Sequence, residues 1–529
     1  MEAVRKPRLR VGVFSDSPHQ SRWIADALAR AGAGDFAEIA LVAIRPHPGA
    51  SKVPLLWRAY RRCDRALFGS RSNWSGTRDL NSLVAPERRV EMGEDERCWK
   101  ARIRDARLDV AFALGQMDDG VLEGAARYGT WRFCFGEDQG TFEPMAGVRE
   151  AIDAKPVVAS GIRIHPGAGK PDRIAYQSWG RAFPFSVTRS RDALFAKTVD
   201  FVARTLRDLH AGGAKWVEMG TEPARDLPAD TFPGVAGLIR DITTMGKRVA
   251  QRAAEKALTV DTWSIAYRFG AAAEWTGSLE GFFRLSPPNG WYWADPFPIQ
   301  VAGRNYIFFE ELPLGASKAH ISVVEVDREG NASTPVKVLE RDYHLSYPFL
   351  VEEGGTLYMI PETAHNNTVE IYRCVEFPAK WQLERVLMKD VRCADATLTR
   401  LGDRWWMFAN GAAQGEEIND ELFLFSSATL LGEWRPHRRN PVKSDVRSSR
   451  PAGHLFWSGN RLYRPGQICA PLYGSGIALH RVTRLTEDEF AEEEESQIVP
   501  REPDTLGIHT LNRAGDLTVT DAFERRPRF

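Results

Sequence analysis

The chain has 529 residues, enough for two or three domains rather than one. Hydrophobic residues make up 43% and charged residues 26%, a globular balance that excludes a disordered or membrane-embedded chain. Lys plus Arg equals Asp plus Glu at 70 each, which excludes a global field favouring nucleic acid or an anionic membrane. Six cysteines (Cys63, Cys98, Cys134, Cys374, Cys393, Cys469) show no C-x-x-C pair and no zinc spacing. Reduced thiols, a cytoplasmic location, no metal and no cofactor are therefore expected. The basic stretch Met1 to Arg10 leads into an apolar run too short for a signal-peptide core, and no transmembrane segment is expected.

In chain order, Leu9 to Phe14 reads as a buried strand, Gln20 to Ala31 as a helix and Ile39 to Ile44 as a second strand. The helical stretch Asp95 to Arg107 leads into the strand Leu108 to Leu114, and Thr130 to Phe135 and Val157 to Ile164 are further strands. Arg189 to His210 carries Leu194, Phe195, Val199, Val202, Leu206 and Leu209 at helical spacing. Strands alternating with helices predict an α/β, Rossmann-like domain with a mainly parallel sheet over residues 1–210. No G-x-G-x-x-G follows the first strand, so the dinucleotide fingerprint is absent. Over 211–261 the rhythm is lost. Gly212-Gly213 and several prolines lead into a basic helix around Lys247 to Lys256, which reads as a linker and connecting helix.

The last half repeats. Asp295, Tyr347 and Asp395 open equivalent segments, and Ala452 opens a fourth. These positions lie 52, 48 and 57 residues apart. Eight residues on comes a turn (Gly303, Gly355, Asp403, Asn460), and eleven on an aromatic (Tyr306, Tyr358, Trp406, Tyr463). Fifteen on comes a carboxylate or amide (Glu310, Glu362, Asn410, Gln467). Each copy reads as two short strands about a tight turn. A strand repeat near fifty residues predicts a β-propeller over 262–529. A fifth blade is expected to close through Gly507 to Thr520 and Trp263 to Phe269, since a closed ring leaves no open edge. The aromatic positions read as core. The acidic run Thr486 to Ser496 reads as a solvated surface segment.

The stretch Gly129 to Ile164 and the element order over 8–210 resemble the N-terminal domain of folate-dependent formyltransferases. That family ends a strand in Asn-x-His and places an Asp downstream, an amide donor and a base for acyl transfer. Here Trp131-Arg132-Phe133-Cys134-Phe135-Gly136 puts Arg132 and Cys134 in those places, and the Asp position falls near Lys170 to Asp172. Arginine is no base and a strand cysteine is more often a small buried hydrophobe, so the transfer apparatus reads as lost. His165, the one histidine nearby, reads as an exposed loop residue.

Trp293-Ala-Asp-Pro-Phe, Phe308-Phe-Glu-Glu-Leu-Pro, His344-Leu-Ser-Tyr-Pro-Phe, Tyr358-Met-Ile-Pro-Glu, Asp395-Ala-Thr-Leu, Gly432-Glu-Trp-Arg-Pro-His and Ser449-Arg-Pro-Ala-Gly form one series. The series resembles the N-terminal region of glucosamine inositolphosphorylceramide transferases. More distantly it is similar to the five-bladed propellers of the arabinanase, invertase and levansucrase glycosidases. That likeness implies carboxylates converging on a sugar, with Asp295 and Asp395 matching the first and middle acids. The third acid is replaced by Arg450-Pro451-Ala452, and Glu362 or Glu310 would have to supply its proton. His344 and Arg450 are candidate substrate-binding cations. Each of these residues also has a structural use, as a turn cap or an internal ion pair.

Three functions follow as expectations. The first is a glycosidase-like propeller of cell-surface glycan biosynthesis that binds, processes or transfers a glycan or a nucleotide-sugar-linked substrate. The second is a non-catalytic glycan-recognition scaffold for a partner glycosyltransferase. The third is a sugar N-formyltransferase using a folate donor.

Overall fold

A computed structural model describes residues 6–46, 54–70, 72–137, 145–223, 234–270, 277–411 and 418–528. The chain divides into two compact units, Met1–Ala250 and Gln251–Phe529, with the dividing point inside the helix Val235–Leu258.

The first unit is built on a seven-stranded sheet. Its order is Arg89–Glu91, Ala37–Ile44, Leu9–Ser15, Val110–Leu114, Thr130–Phe135, Val157–His165 and Arg173–Arg181. The first five are parallel and the last two pair antiparallel, so the sheet is mixed, with parallel pairing over most of it. The described helix before Val157, Val148–Ile152, has five residues and rises only about 7.5 Å. The strand Val157–His165 that follows it pairs antiparallel with Thr130–Phe135. The apolar stripe over 189–210 is buried, but it belongs to two helices, Val187–Thr198 and Phe201–Gly212. The spacing continues across the break, so periodicity alone does not reveal it. Trp23 and Phe195 stack in this core with ring centres 4.8 Å apart.

The second unit is a propeller of five sheets. Blades one to three start at the strands Trp291–Val301, Ser346–Glu353 and Cys393–Leu401, and blade four spans Phe456–Ile498. Blade five joins both ends of the unit. Thr259–Phe269 pairs with Leu517–Pro527 along its whole length, with Thr505–Gly507 and Leu511–Ala514 inside and Phe283–Leu285 outside. Eleven residue pairs tie the first described strand of the ring to its last, so no blade is left with an unpaired joint. The first strands of blades one, two and three pack on each other in turn, and Leu511–Ala514 of blade five packs on the first strand of blade one. Tyr358 and Trp406 are buried, and Tyr306 packs on the same core as Tyr358.

The acidic run is not wholly solvated. It forms the outer strand Phe490–Ile498 of blade four, where alternate side chains face opposite ways. Glu492 points inward and is held by Arg464 at 2.6 Å and Lys443 at 2.7 Å.

Candidate functional site

The repeat has a structural cause. In blades one, two and three the pairing of the first two strands slips by one residue, between Ala294 and Phe297, Ser346 and Phe349, and Ala394 and Thr397. Each slip is a β-bulge, and each bulge holds one non-glycine residue in the left-handed region: Asp295 at φ 52°, Tyr347 at 45° and Asp395 at 53°. A left-handed residue costs on the order of 1–2 kcal/mol outside glycine, and such strain concentrates at functional positions. The residue just before each bulge pairs with the repeat carboxylate or amide: Ala294 with Glu310, Ser346 with Glu362, and Ala394 with Asn410. One device therefore delivers two polar side chains per blade to the end of the inner strands.

All six residues singled out from the sequence belong to one polar cluster. Asp395, 1% exposed, accepts from Arg450 Nε at 2.6 Å and Nη2 at 3.2 Å, and from Gln467 Nε2 at 2.8 Å. Burial raises its pKa to about 7, Glu362 adds to the rise, and Arg450 opposes it. Arg450 also reaches Glu362 at 3.4 Å, donates to Ile418 O and Asn419 Oδ1, and lies over the Tyr473 ring at 5.0 Å. Glu310 accepts from the Tyr292 hydroxyl at 2.9 Å and lies 3.2 Å from His344 Nε2. Burial lowers the pKa of His344 while Glu310, Glu362 and Asp295 raise it, with a net rise. Its Nδ1, however, accepts the Ala319 N–H at 3.1 Å, so this geometry holds the neutral ring with the proton on Nε2 facing Glu310.

Asp295 accepts the Tyr347 N–H at 3.1 Å and lies 2.9 Å from His509 Nε2. Burial raises its pKa to about 6 against the pull of His509. The other His509 nitrogen lies 2.8 Å from Asp521. Neither histidine contact is well aligned as a hydrogen bond, so both act chiefly as ion pairs. Burial lowers the His509 pKa, but Asp521 and Asp295 outweigh it and hold it up at about 10. Asp295, His509 and Asp521 have ligand atoms within 4.8 Å of one another, the spacing of a cation site. Asp521, however, already accepts from His509 N, Thr510 N, Thr510 Oγ1 and Asp295 N. The protonated histidine does the work of a cation there.

Sequence reasoning missed His509, Asp521, Tyr292 and Tyr473 as members of the cluster. His509 and Asp521 come from blade five, whose copy of the repeat is worn. The available signal was polarity, since Ile508-His509-Thr510 places a histidine just ahead of an inner strand. Tyr347 stands where its neighbours carry Asp, and its hydroxyl accepts the Gly453 N–H and meets Thr397 Oγ1, each at 2.7 Å. It ties blades two and three to the segment that leads into blade four. Asn410 is fully buried at the repeat position of Glu310 and Glu362, and neither atom of its amide has a partner among the described residues. Trp263, 4.2 Å from the His509 ring, and Tyr473 are half-buried and add flat faces at the edge of the cluster.

In the first unit Arg132 pairs with Asp119 at 2.7 Å. Cys134 is buried, which pushes its thiol up to about 12, and His165 Nδ1 meets Asp172 at 2.7 Å. A described cleft of about 690 Å³, lined by Arg385, Lys389, Phe423 and Trp434 among others, lies beside blades two and three.

Comparison with known proteins bears on the propeller. Residues 286–512 match the family described as glucosamine inositolphosphorylceramide transferase 1, N-terminal. Relatives include the glucosamine inositolphosphorylceramide transferase 1 of rice (Oryza sativa subsp. japonica), 34% identical over 203 residues, and that of Arabidopsis thaliana, 31% identical over 204 residues. Each match covers 38% of this chain and 27% of the relative, so the chain spans about a quarter of their length. Among solved structures, the family 117 glycoside hydrolase Zg3597 of Zobellia galactanivorans aligns with TM-score 0.34 and 10% identity, over 50% of this chain and 90% of its own. The GH62 α-L-arabinofuranosidase catalytic domain of Coprinopsis cinerea aligns with TM-score 0.36 and 11% identity, over 49% and 97%. The propeller thus resembles the N-terminal region of the glucosamine inositolphosphorylceramide transferases.

Proposed function

We propose that the propeller recognises an amino sugar within a glycan or glycan precursor, binding its ammonium group at Glu310 and Glu362 without hydrolysing the glycosidic bond. The observation that carries this reading is the charge balance of the cluster. Five carboxylates (Asp295, Glu310, Glu362, Asp395, Asp521) face two cations, Arg450 and His509, and both cations are already engaged. A sugar ammonium supplies the charge that is lacking, and a charge-assisted hydrogen bond to a carboxylate is about twice as strong as a neutral one. The unpartnered Asn410 amide suits a ring hydroxyl, and Trp263 and Tyr473 suit the apolar face of a sugar. The relatives' name refers to a glucosamine transferase, which agrees with an amino-sugar ligand. Hydrolysis is disfavoured because Asp395 is clamped by Arg450, where a glycosidase needs a free carboxyl.

A second reading, glycosyl transfer, draws on the carboxyls of Asp295 and Asp395, whose pKa values near 6 and 7 suit a general acid at neutral pH. In the first unit the pairing of Arg132 with Asp119 and the burial of Cys134 do not favour formyl transfer.

Calorimetric titration of the full chain with glucosamine, N-acetylglucosamine and glucose tests the proposal. Glucosamine is expected to bind about tenfold more tightly than its N-acetyl form, a difference of about 1.4 kcal/mol. Glu362→Gln should abolish that preference. Equal affinity for the two sugars, or none for either, overturns the amino-sugar reading, and new products from a sugar donor would favour transfer.

A further inference from the structure

The first unit carries a surface that neither its core nor the propeller site explains. Its helix Leu55–Phe68 buries only Trp57 and Asp64. Leu55, Leu56 and Leu67 are 75%, 41% and 71% exposed. Trp57 packs in one core cluster with Leu238 and Met245 of the helix that begins at Val235. That second helix exposes Val235 and Ile239, at 70% and 54%. Five of the six large apolar side chains exposed among the described residues of the first unit therefore lie on two helices that share one cluster; the sixth is Met219. Scattered apolar residues are normal on a surface, but this concentration is not.

The exposed charge on the same helices, within the first unit, has one sign. Arg58, Arg62 and Arg65 are exposed and make no ion pair among the described residues, and Arg240 and Lys247 are exposed on the second helix. Neither helix exposes an acid within the first unit. Asp64 is 4% exposed and accepts the Thr188 N–H at 2.6 Å, and Asp241 is 3% exposed. Over the whole chain the charges cancel, so this basic face is a local arrangement. Leucines beside arginines on an amphipathic helix suit a bilayer interface, with leucine in the acyl boundary and arginine among anionic headgroups. A nucleic acid would match the arginines and leave the leucines in water. No described helix is long and apolar enough to cross a membrane, so this surface could hold the protein only from one side.

We propose that the helices Leu55–Phe68 and Val235–Leu258 present a peripheral docking surface for an anionic lipid bilayer. The proposal is independent of the sugar specificity of the propeller.

Flotation of the full-length protein with vesicles of phosphatidylcholine alone, and of equal parts phosphatidylcholine and phosphatidylglycerol, tests it. The protein should float with the anionic vesicles, be released by high salt and partition at least tenfold less to the neutral ones. The variant R58E/R62E/R65E should lose about a hundredfold in partitioning, from three arginines near the surface. The variant L55S/L56S/L67S keeps every charge and changes only exposed side chains, so it keeps the test open should the arginine variant misfold. It should fall at least tenfold. No flotation of the wild type, equal partitioning to both vesicles, or undiminished flotation of either folded variant overturns the proposal.

Discussion

Replacing Arg450 by methionine tests whether its guanidinium holds the acidic cluster together. The side chain bonds both oxygens of Asp395, reaches Glu362, and donates to Ile418 O and Asn419 Oδ1. Asp395 is 1% exposed, so methionine leaves it with the Gln467 amide as its one side-chain donor. Breaking a buried pair from one side costs about 3–5 kcal/mol. Asp395→Asn alone removes the carboxylate but leaves Arg450 paired with Glu362, so its cost should be smaller, about 2 kcal/mol. In the double variant neither buried charge of the pair remains. Its loss should fall short of the sum of the single losses by about 2 kcal/mol or more, within the range of coupling found for residues in contact. Urea unfolding of the full chain, followed by tryptophan fluorescence on the transition shifted in all three variants, reads each loss. Losses that add to within about 0.5 kcal/mol would refute the clamp.

The pH dependence of stability should carry the mark of the same carboxyl. Asp395 binds its proton more tightly folded, near pH 7, than its ordinary value of 3.8. Its contribution is therefore complete below about pH 4 and is lost as pH rises through 7. Between pH 5 and 8 the wild type should lose about 2–3 kcal/mol through this group, a slope that Asp395→Asn removes in urea titrations at the two pH values. His509→Gln should cost about 3 kcal/mol by leaving Asp295 and Asp521 face to face, and adding Asp295→Asn should restore part of it in thermal melts. Glu492→Gln should cost about 3–5 kcal/mol, because Arg464 is wholly buried. The wild-type contribution of Glu492 is present above about pH 4.5 and lost as pH falls, so the two proteins should converge in acid. Truncation before Thr505 removes the partners of Thr259–Phe269 and should leave an open ring, seen as loss of the cooperative melt of the propeller and as aggregation.

How much of this was legible in the sequence depends on whether a residue acts through its own blade or through a neighbour. The repeat offset that set Asp295 over Asp395 and Glu310 over Glu362 reflects a local event, the bulge, repeated in each blade with the same spacing. A sequence displays such an event wherever the copies stay in step. His509 and Asp521 escaped because blade five takes strands from both ends of the unit, so its copy has no fixed spacing to display. The helix Leu55–Phe68 escaped because it buries one apolar residue, Trp57, so its leucines do not mark a core-facing stripe. Arg450 was the informative departure. Read along the chain it is a missing acid. In the folded propeller the same substitution places a guanidinium on the middle acid and joins it to Glu362 of the neighbouring blade. Under the proposed function, a site changed in that way binds a sugar and has given up the free carboxyl that would cleave one. On that reading the charge on Glu310 and Glu362 is what the ligand answers.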